Sequence, residues 1–119
     1  MGLNLKNRLK KKKDFEYLFK KGKSQGSKKE FLVLRYKENN LKNTRFGLIV
    51  SKKVFKRAVL RNKIKRQLRN ILREDILPKI KKNIDAVIIL YPGFQVKDYQ
   101  ELKEKIKGLF QKAKIINKK

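Results

Sequence analysis

The sequence predicts a single α+β domain. Three observations carry that prediction. The chain has 119 residues, enough for one domain with a modest core, and 39% of them are apolar. Those apolar residues fall in blocks whose period switches between about 3.6 and 2, so helices and strands alternate along the chain. No internal repeat and no second unit is visible, so residues 1–119 read as one domain around one core.

Each element has a local reason. Residues 1–13 form a basic leader, with Lys6, Arg8 and Lys10 to Lys13, expected to be flexible. Asp14 is positioned to cap a short helix through Lys21, and Gly22 stops it. Phe15, Leu18 and Phe19 share one face of that helix. Residues 22–29 are turn-like, with room for a short edge strand. Phe31 to Tyr36 reads as a strand, and Asn39, Asn40 and Asn43 mark the turn after it. Arg45 to Ser51 is a second strand, with Phe46, Leu48 and Val50 on one face. These two strands are expected to pair as a hairpin. Lys52 to Arg57 leads into a basic helix that ends before Pro78. Asp85 to Leu90 is a buried strand, closed by Tyr91-Pro92-Gly93. A last helix runs from Asp98 to Ala113, with Tyr99, Leu102, Ile106, Leu109 and Phe110 as its apolar stripe.

Charge points to a partner. Thirty-six Lys and Arg face ten Asp and Glu, a formal charge of +26. Self-repulsion at that level favours a polyanionic partner, and nucleic acid is the leading one. The basic helix concentrates the charge. Leu60, Ile64, Leu68 and Ile71 fall on one side, and Arg61, Lys65, Arg69 and Arg73 form an i, i+4 row beside it, flanked by Asn62 and Arg66. Its polarity is reversed. Lys52, Lys53, Lys56, Arg57 and Arg61 gather at its start, while Glu74 and Asp75 sit at its end. Each misplaced charge costs ~0.3–1 kcal/mol against the helix dipole at low salt. A bound phosphate at the N-terminus turns that cost into attraction.

The chain has little catalytic chemistry of its own. It contains no Cys and no His, so thiolate sites, disulfides and the usual general base are excluded. Ser51 has no His partner, and no acids have metal-ligand spacing. Gly22-Lys23-Ser24 lacks the first glycine of a phosphate loop, since position 17 is Tyr. No apolar run approaches the roughly 20 residues that span a bilayer. No apolar segment follows the basic N-terminus as in a secretory signal, so a cytoplasmic location is the expectation. Phe15 and Phe19 read either as core packing or as a stacking platform for unpaired bases. Leu32, Leu34 and Tyr36 share a sheet face by alternation, and that face is expected to complete the groove.

The ordered set of segments resembles the protein subunit of bacterial ribonuclease P. It includes Leu9-Lys10-Lys11 with Asp14-Phe15 and Phe19-Lys20, then Phe31-Leu32-Val33-Leu34, then Gly47 with Val50-Ser51-Lys52-Lys53. The most specific block is Ala58 to Arg66, similar to the family's Arg-Asn-Arg signature followed by Lys-Arg. Asp85 to Ile89 before Pro92-Gly93, and a last helix with Leu109-Phe110, complete it. The resemblance implies an α-β-β-β-α-β-α sandwich with a four-stranded sheet and a left-handed β-α-β crossover containing the basic helix. It implies an accessory subunit of the endonuclease that removes the 5′ leader from precursor tRNA, with a Mg²⁺-dependent active site in the partner RNA. It implies that Lys52, Lys53, Lys56, Arg57, Arg61, Asn62, Lys63, Lys65, Arg66, Arg69 and Arg73 bind the catalytic RNA. It further implies that Phe15, Phe19, Leu32, Leu34, Tyr36, Ile49 and Ser51 line a cleft for the leader, with Lys52, Lys53 and Arg69 near its rim. Lys63 stands where the signature has its third Arg, Leu34 where an aromatic is frequent, and Tyr91 where Arg often precedes Pro-Gly.

Other classes fit less. A ribosomal or general RNA-binding protein explains the charge but not the ordered matches. A cationic membrane-active protein requires an amphipathic helix with its apolar face free, whereas strands are available to cover this one. An independent protein nuclease lacks a supporting constellation.

Overall fold

The computed structural model describes residues 3–117. The elements follow in the order α1 (Lys12–Lys21), β1 (Lys23–Ser27), β2 (Leu32–Glu38), β3 (Arg45–Val50), α2 (Ala58–Ile71), β4 (Ile84–Leu90) and α3 (Tyr99–Lys112). The strands form one mixed sheet in the order β1-β2-β4-β3. β4 decides that order. All seven of its residues are buried, so its backbone groups must be satisfied on both edges. It pairs antiparallel with β2 and parallel with β3, and α2 crosses between the two parallel strands.

The expected hairpin of the second and third strands is therefore corrected. β4 lies between them. The hairpin that does form is β1 with β2. Its turn ends at Phe31 in the left-handed region, φ 63°, so β2 begins at Leu32 and extends to Glu38.

Both faces of the sheet are covered. The register puts Leu32, Leu34 and Tyr36 beside Leu90, Ile88 and Ala86, with Phe46, Leu48 and Val50 on the same face. That face packs on α2 and α3 through Ile64, Leu68, Ile71, Leu102, Ile106 and Phe110. The other face carries Val33, Val87 and Ile89, covered by Leu18 of α1 and by Leu9. The N-terminal segment is not loose between residues 3 and 13, as the sequence had suggested. Leu3 is buried in the main core and Leu9 in the smaller one. Leu9 N–H donates to the Phe46 carbonyl at 2.8 Å, so the segment runs along the free edge of β3.

The helix ends differ in how they are satisfied. α1 starts at Lys12 without a side-chain cap, and Asp14 lies inside its first turn, where it pairs with Arg45 at 3.5 Å. α1 stops where the backbone turns extended at Gly22, and a Cβ there would stand 2.6 Å from the Leu18 carbonyl oxygen, so glycine suits the position. α2 also lacks a side-chain cap, whereas α3 has a complete one. Asp98 accepts from Glu101 N–H at 2.9 Å, and the Glu101 carboxylate accepts from Lys97 N–H at 2.6 Å. Past Ile71 the α2 chain widens into one π-type turn, then tightens through Pro78 before β4.

Candidate nucleic-acid interface

The cationic row of α2 follows from how the helix buries itself. Ile64, Leu68 and Ile71 point into the core, which leaves Arg61, Lys65, Arg69 and Arg73 half-buried along the flank. Asn62, Lys63 and Arg66 are exposed. Leu60, expected on the buried stripe, is 41% exposed instead. The stripe starts one turn later because Leu60 faces a cavity shared with Phe55, Lys63, Gln67 and Tyr99. Lys63 lies on that side of α2, away from the main row.

Not every cation of the row is free. Arg61 Nη1 donates to the Phe55 and Lys56 carbonyls at 2.8 and 3.1 Å, so it also closes the loop before the helix. Arg73 bonds Asn70 and Glu74. The reversed polarity of α2 has a partial internal explanation at its far end, because Asp75 meets Lys103 of α3 at 3.8 Å. At its N-terminus there is no such compensation. The first turn contains no acid, the cap has no side-chain bond, and Lys52, Lys53, Lys56 and Arg57 are exposed there.

The N-terminal segment adds a cation that sequence reasoning missed. Arg8 lies near enough to Arg69 to lower its proton affinity, a smaller effect than the burial that acts in the same direction. Neither arginine has an acidic partner within 4.0 Å among the described residues. The signal was hidden because Arg8 and Arg69 are joined only by the pairing of the N-terminal segment with β3.

The other sheet face provides an apolar strip. α1 covers Val33 and Val87, and the Phe15 ring rests over Gly47. At the end where β3 and β4 finish, Ile49, Ser51 and Tyr91 remain half-buried. Lys28 Nζ stands 5.6 Å from the centre of the Tyr91 ring. Phe19 is 43% exposed, one turn beyond Phe15 on α1. Phe15, Phe19, Ile49 and Ser51 therefore belong to this side of the sheet.

Leu32, Leu34 and Tyr36 do not. They occupy the opposite face, with Leu32 and Leu34 buried under the helices and Tyr36 half-buried against the same core. The alternation was read correctly, but the more apolar set went to the larger core. Val33, Ile89 and Tyr91 take their place on the α1 side. The rim residues divide as well, since Lys52 and Lys53 follow Ser51, whereas Arg69 belongs to the α2 flank beside Arg8. No group of three or more acidic side chains is placed to hold a metal ion among the described residues.

These features define a small, strongly basic α+β protein with a cationic helix over one sheet face and an aromatic strip on the other. The chain matches the Ribonuclease P family over residues 3–114. It is 38% identical over 122 residues to the ribonuclease P protein component of Microcystis aeruginosa, covering 98% of each chain. The RNase P protein of Staphylococcus aureus has the same fold, with a TM-score of 0.81 at 29% identity over 93% of this chain and 98% of that one. The Thermotoga maritima RNase P protein gives 0.75 at 32% identity over 88% and 96%. The chain belongs to the ribonuclease P protein component family.

Proposed function

We propose that this protein binds the catalytic RNA of ribonuclease P through the α2 flank and holds the 5′ leader of precursor tRNA along the strip between α1 and the sheet end. The observation that carries this reading is the separation of two surfaces on opposite sides of one sheet, in a chain of this family. The uncapped N-terminus of α2, with Lys52, Lys53, Lys56 and Arg57 beside it, suits RNA phosphates. The row Lys65, Arg69 and Arg73, extended by Arg8, continues the same attraction. The strip of Phe15, Ile49 and Tyr91 suits unpaired bases without regard to sequence.

In this reading the cleavage site lies in the partner RNA, where bound Mg²⁺ would activate a water as the nucleophile and neutralise developing charge. This chain contributes positioning and charge. Its cations reduce repulsion between the two RNAs, so less free Mg²⁺ is needed, and the strip favours precursor over mature tRNA because only the precursor has a leader. The site of action is the cytoplasm. Reconstitution with a bacterial ribonuclease P RNA at low Mg²⁺ is the test. Stimulated cleavage of precursor tRNA is expected, and the absence of stimulation overturns the proposal.

A further inference from the structure

The two surfaces above leave one cationic cavity unused. It lies at the opposite end of the sheet from Ser51 and Tyr91, where β2 ends and β1 and β4 begin, and its volume is about 460 Å³. Six lysines surround it among the described residues. Lys21 comes from the end of α1, Lys23 from β1, Lys37 from β2, Lys81 and Lys82 from the approach to β4, and Lys114 from the chain after α3. Among the described residues the only acid in the lining is Glu38, which pairs with Lys82 at 3.7 Å. The floor is different in kind. Tyr36 packs against the main core, and Ile84 and Ile115 are buried beneath the opening.

That combination restricts the ligand. A simple anion needs the lysines but not an apolar, aromatic floor. A membrane surface is too flat to enter a concavity of this size. A ligand with a flat ring and a phosphate uses both parts, and the volume is within the roughly 300–1,000 Å³ of small-molecule sites. Tyr36 offers a ring for stacking, worth ~1–3 kcal/mol per base in single-strand sites. The lysines offer phosphate contacts from both sides of the stacked base. We infer that this cavity is a second nucleotide site, one that takes an unpaired nucleotide of a single-stranded RNA and its flanking phosphates. Its Tyr36 floor is on the sheet face opposite Phe15, and the cavity lies at the other end of the sheet from Ser51 and Tyr91, so it is separate from the leader strip.

The test uses the full-length protein and a hexameric oligouridine carrying 5-iodouridine. Photocrosslinking followed by peptide mapping is expected to label Tyr36. Lys81→Ala combined with Lys114→Ala should lower that crosslink at least fivefold. The same pair should make the salt dependence of binding shallower by about 1.4 in the log–log slope, two single-strand phosphate contacts. Lys105→Ala combined with Lys112→Ala, which removes the same charge elsewhere, should leave the Tyr36 crosslink intact. Uridine monophosphate should compete for Tyr36 better than pyrophosphate at equal concentration. Competition by the hexamer beyond its nucleotide count upholds a single-strand site, whereas equal competition per nucleotide would assign the cavity to free nucleotides and overturn it. Crosslinks that avoid Tyr36, equal losses in both lysine pairs, or pyrophosphate competing as well as the monophosphate would each overturn it.

Discussion

The Phe15 ring lies so close over Gly47 that a Cβ at position 47 would stand 2.6 Å from it. This contact sets how near α1 approaches the sheet, and hence the floor of the strip assigned to the leader. Gly47→Ala cannot be absorbed by the backbone of β3, which is paired with β4 at this position. The ring must move, and α1 with it. Overpacking of this kind costs about 1–3 kcal/mol. Urea denaturation should show that loss for Gly47→Ala in an otherwise normal protein. In the Phe15→Leu background the cost should shrink, and a double-mutant cycle measures the coupling. An additive pair would show that the ring does not set the approach of α1.

Arg45 is the second tie between α1 and the sheet. Its Nε and Nη2 donate to the two Asp85 oxygens at 2.9 and 2.6 Å, and its Nη1 stands 3.5 Å from Asp14. Asp85 also accepts from Asn39 Nδ2 at 2.9 Å. The hydrogen bond to Asp85 is the main reason that the Arg45 guanidinium holds its proton more tightly than usual. The sign follows: a base whose proton affinity is raised by folding stabilises the fold below its ordinary titration range and loses that contribution only in strongly alkaline solution. Between neutral pH and pH ~10 the arginine side of the pair contributes no pH dependence. Arg45→Met should cost about 2 kcal/mol, less than a fully buried pair because the arginine is a quarter exposed. Asp14→Asn should cost no more than about 0.5 kcal/mol. Thermal melts of the two variants check the order.

How much of this was legible in the sequence depends on what each feature is made of. The type of every long element was written in its own periodicity, because burial of one face repeats at 3.6 or 2 residues. Strand neighbours were not, since β2 and β3 alternate equally well whether they pair with each other or each takes one edge of β4. The same limit moved Tyr36. Alternation placed Leu32, Leu34 and Tyr36 together, but only the whole sheet shows that α2 and α3 claim that side. The basic flank was legible because it lies within one helix. The Arg8 contribution was not, because it depends on a pairing between distant segments.

Arg69 illustrates a cost that the free protein bears for its charge. Burial and the neighbouring Arg8 both make its cationic form less favourable. Arg69→Gln should therefore stabilise the free protein at low salt, by about 0.5 kcal/mol for relief of a like-charge contact. Salt screens the repulsion, so the gain should fade as ionic strength rises. Binding should respond in the opposite direction. Loss of one phosphate contact should weaken affinity and reduce the log–log salt slope by about 0.7–0.9. Denaturation at two ionic strengths, with binding of ribonuclease P RNA at the same two, checks both signs. A variant that destabilises the free protein at low salt would remove the repulsion argument.

The two tyrosines separate the leader strip from the rest of the molecule. Tyr91 is half-buried on the α1 side, beside Lys28 and past the end of β4. Tyr36 is half-buried on the α2 and α3 side. If the leader stacks on the half-buried Phe15, Ile49 and Tyr91, Tyr91→Ala should reduce the preference for precursor over mature tRNA. Stacking is worth ~1–3 kcal/mol per base, so the ratio of affinities should fall roughly tenfold or more. Mature tRNA should bind as before, since it has no leader to lose. Tyr36→Phe keeps the core packed and should leave the ratio unchanged. A mere loss of stability would lower both affinities together, and the ratio is insensitive to that. Equal effects of the two substitutions on the ratio would mean that the leader does not follow the α1 face.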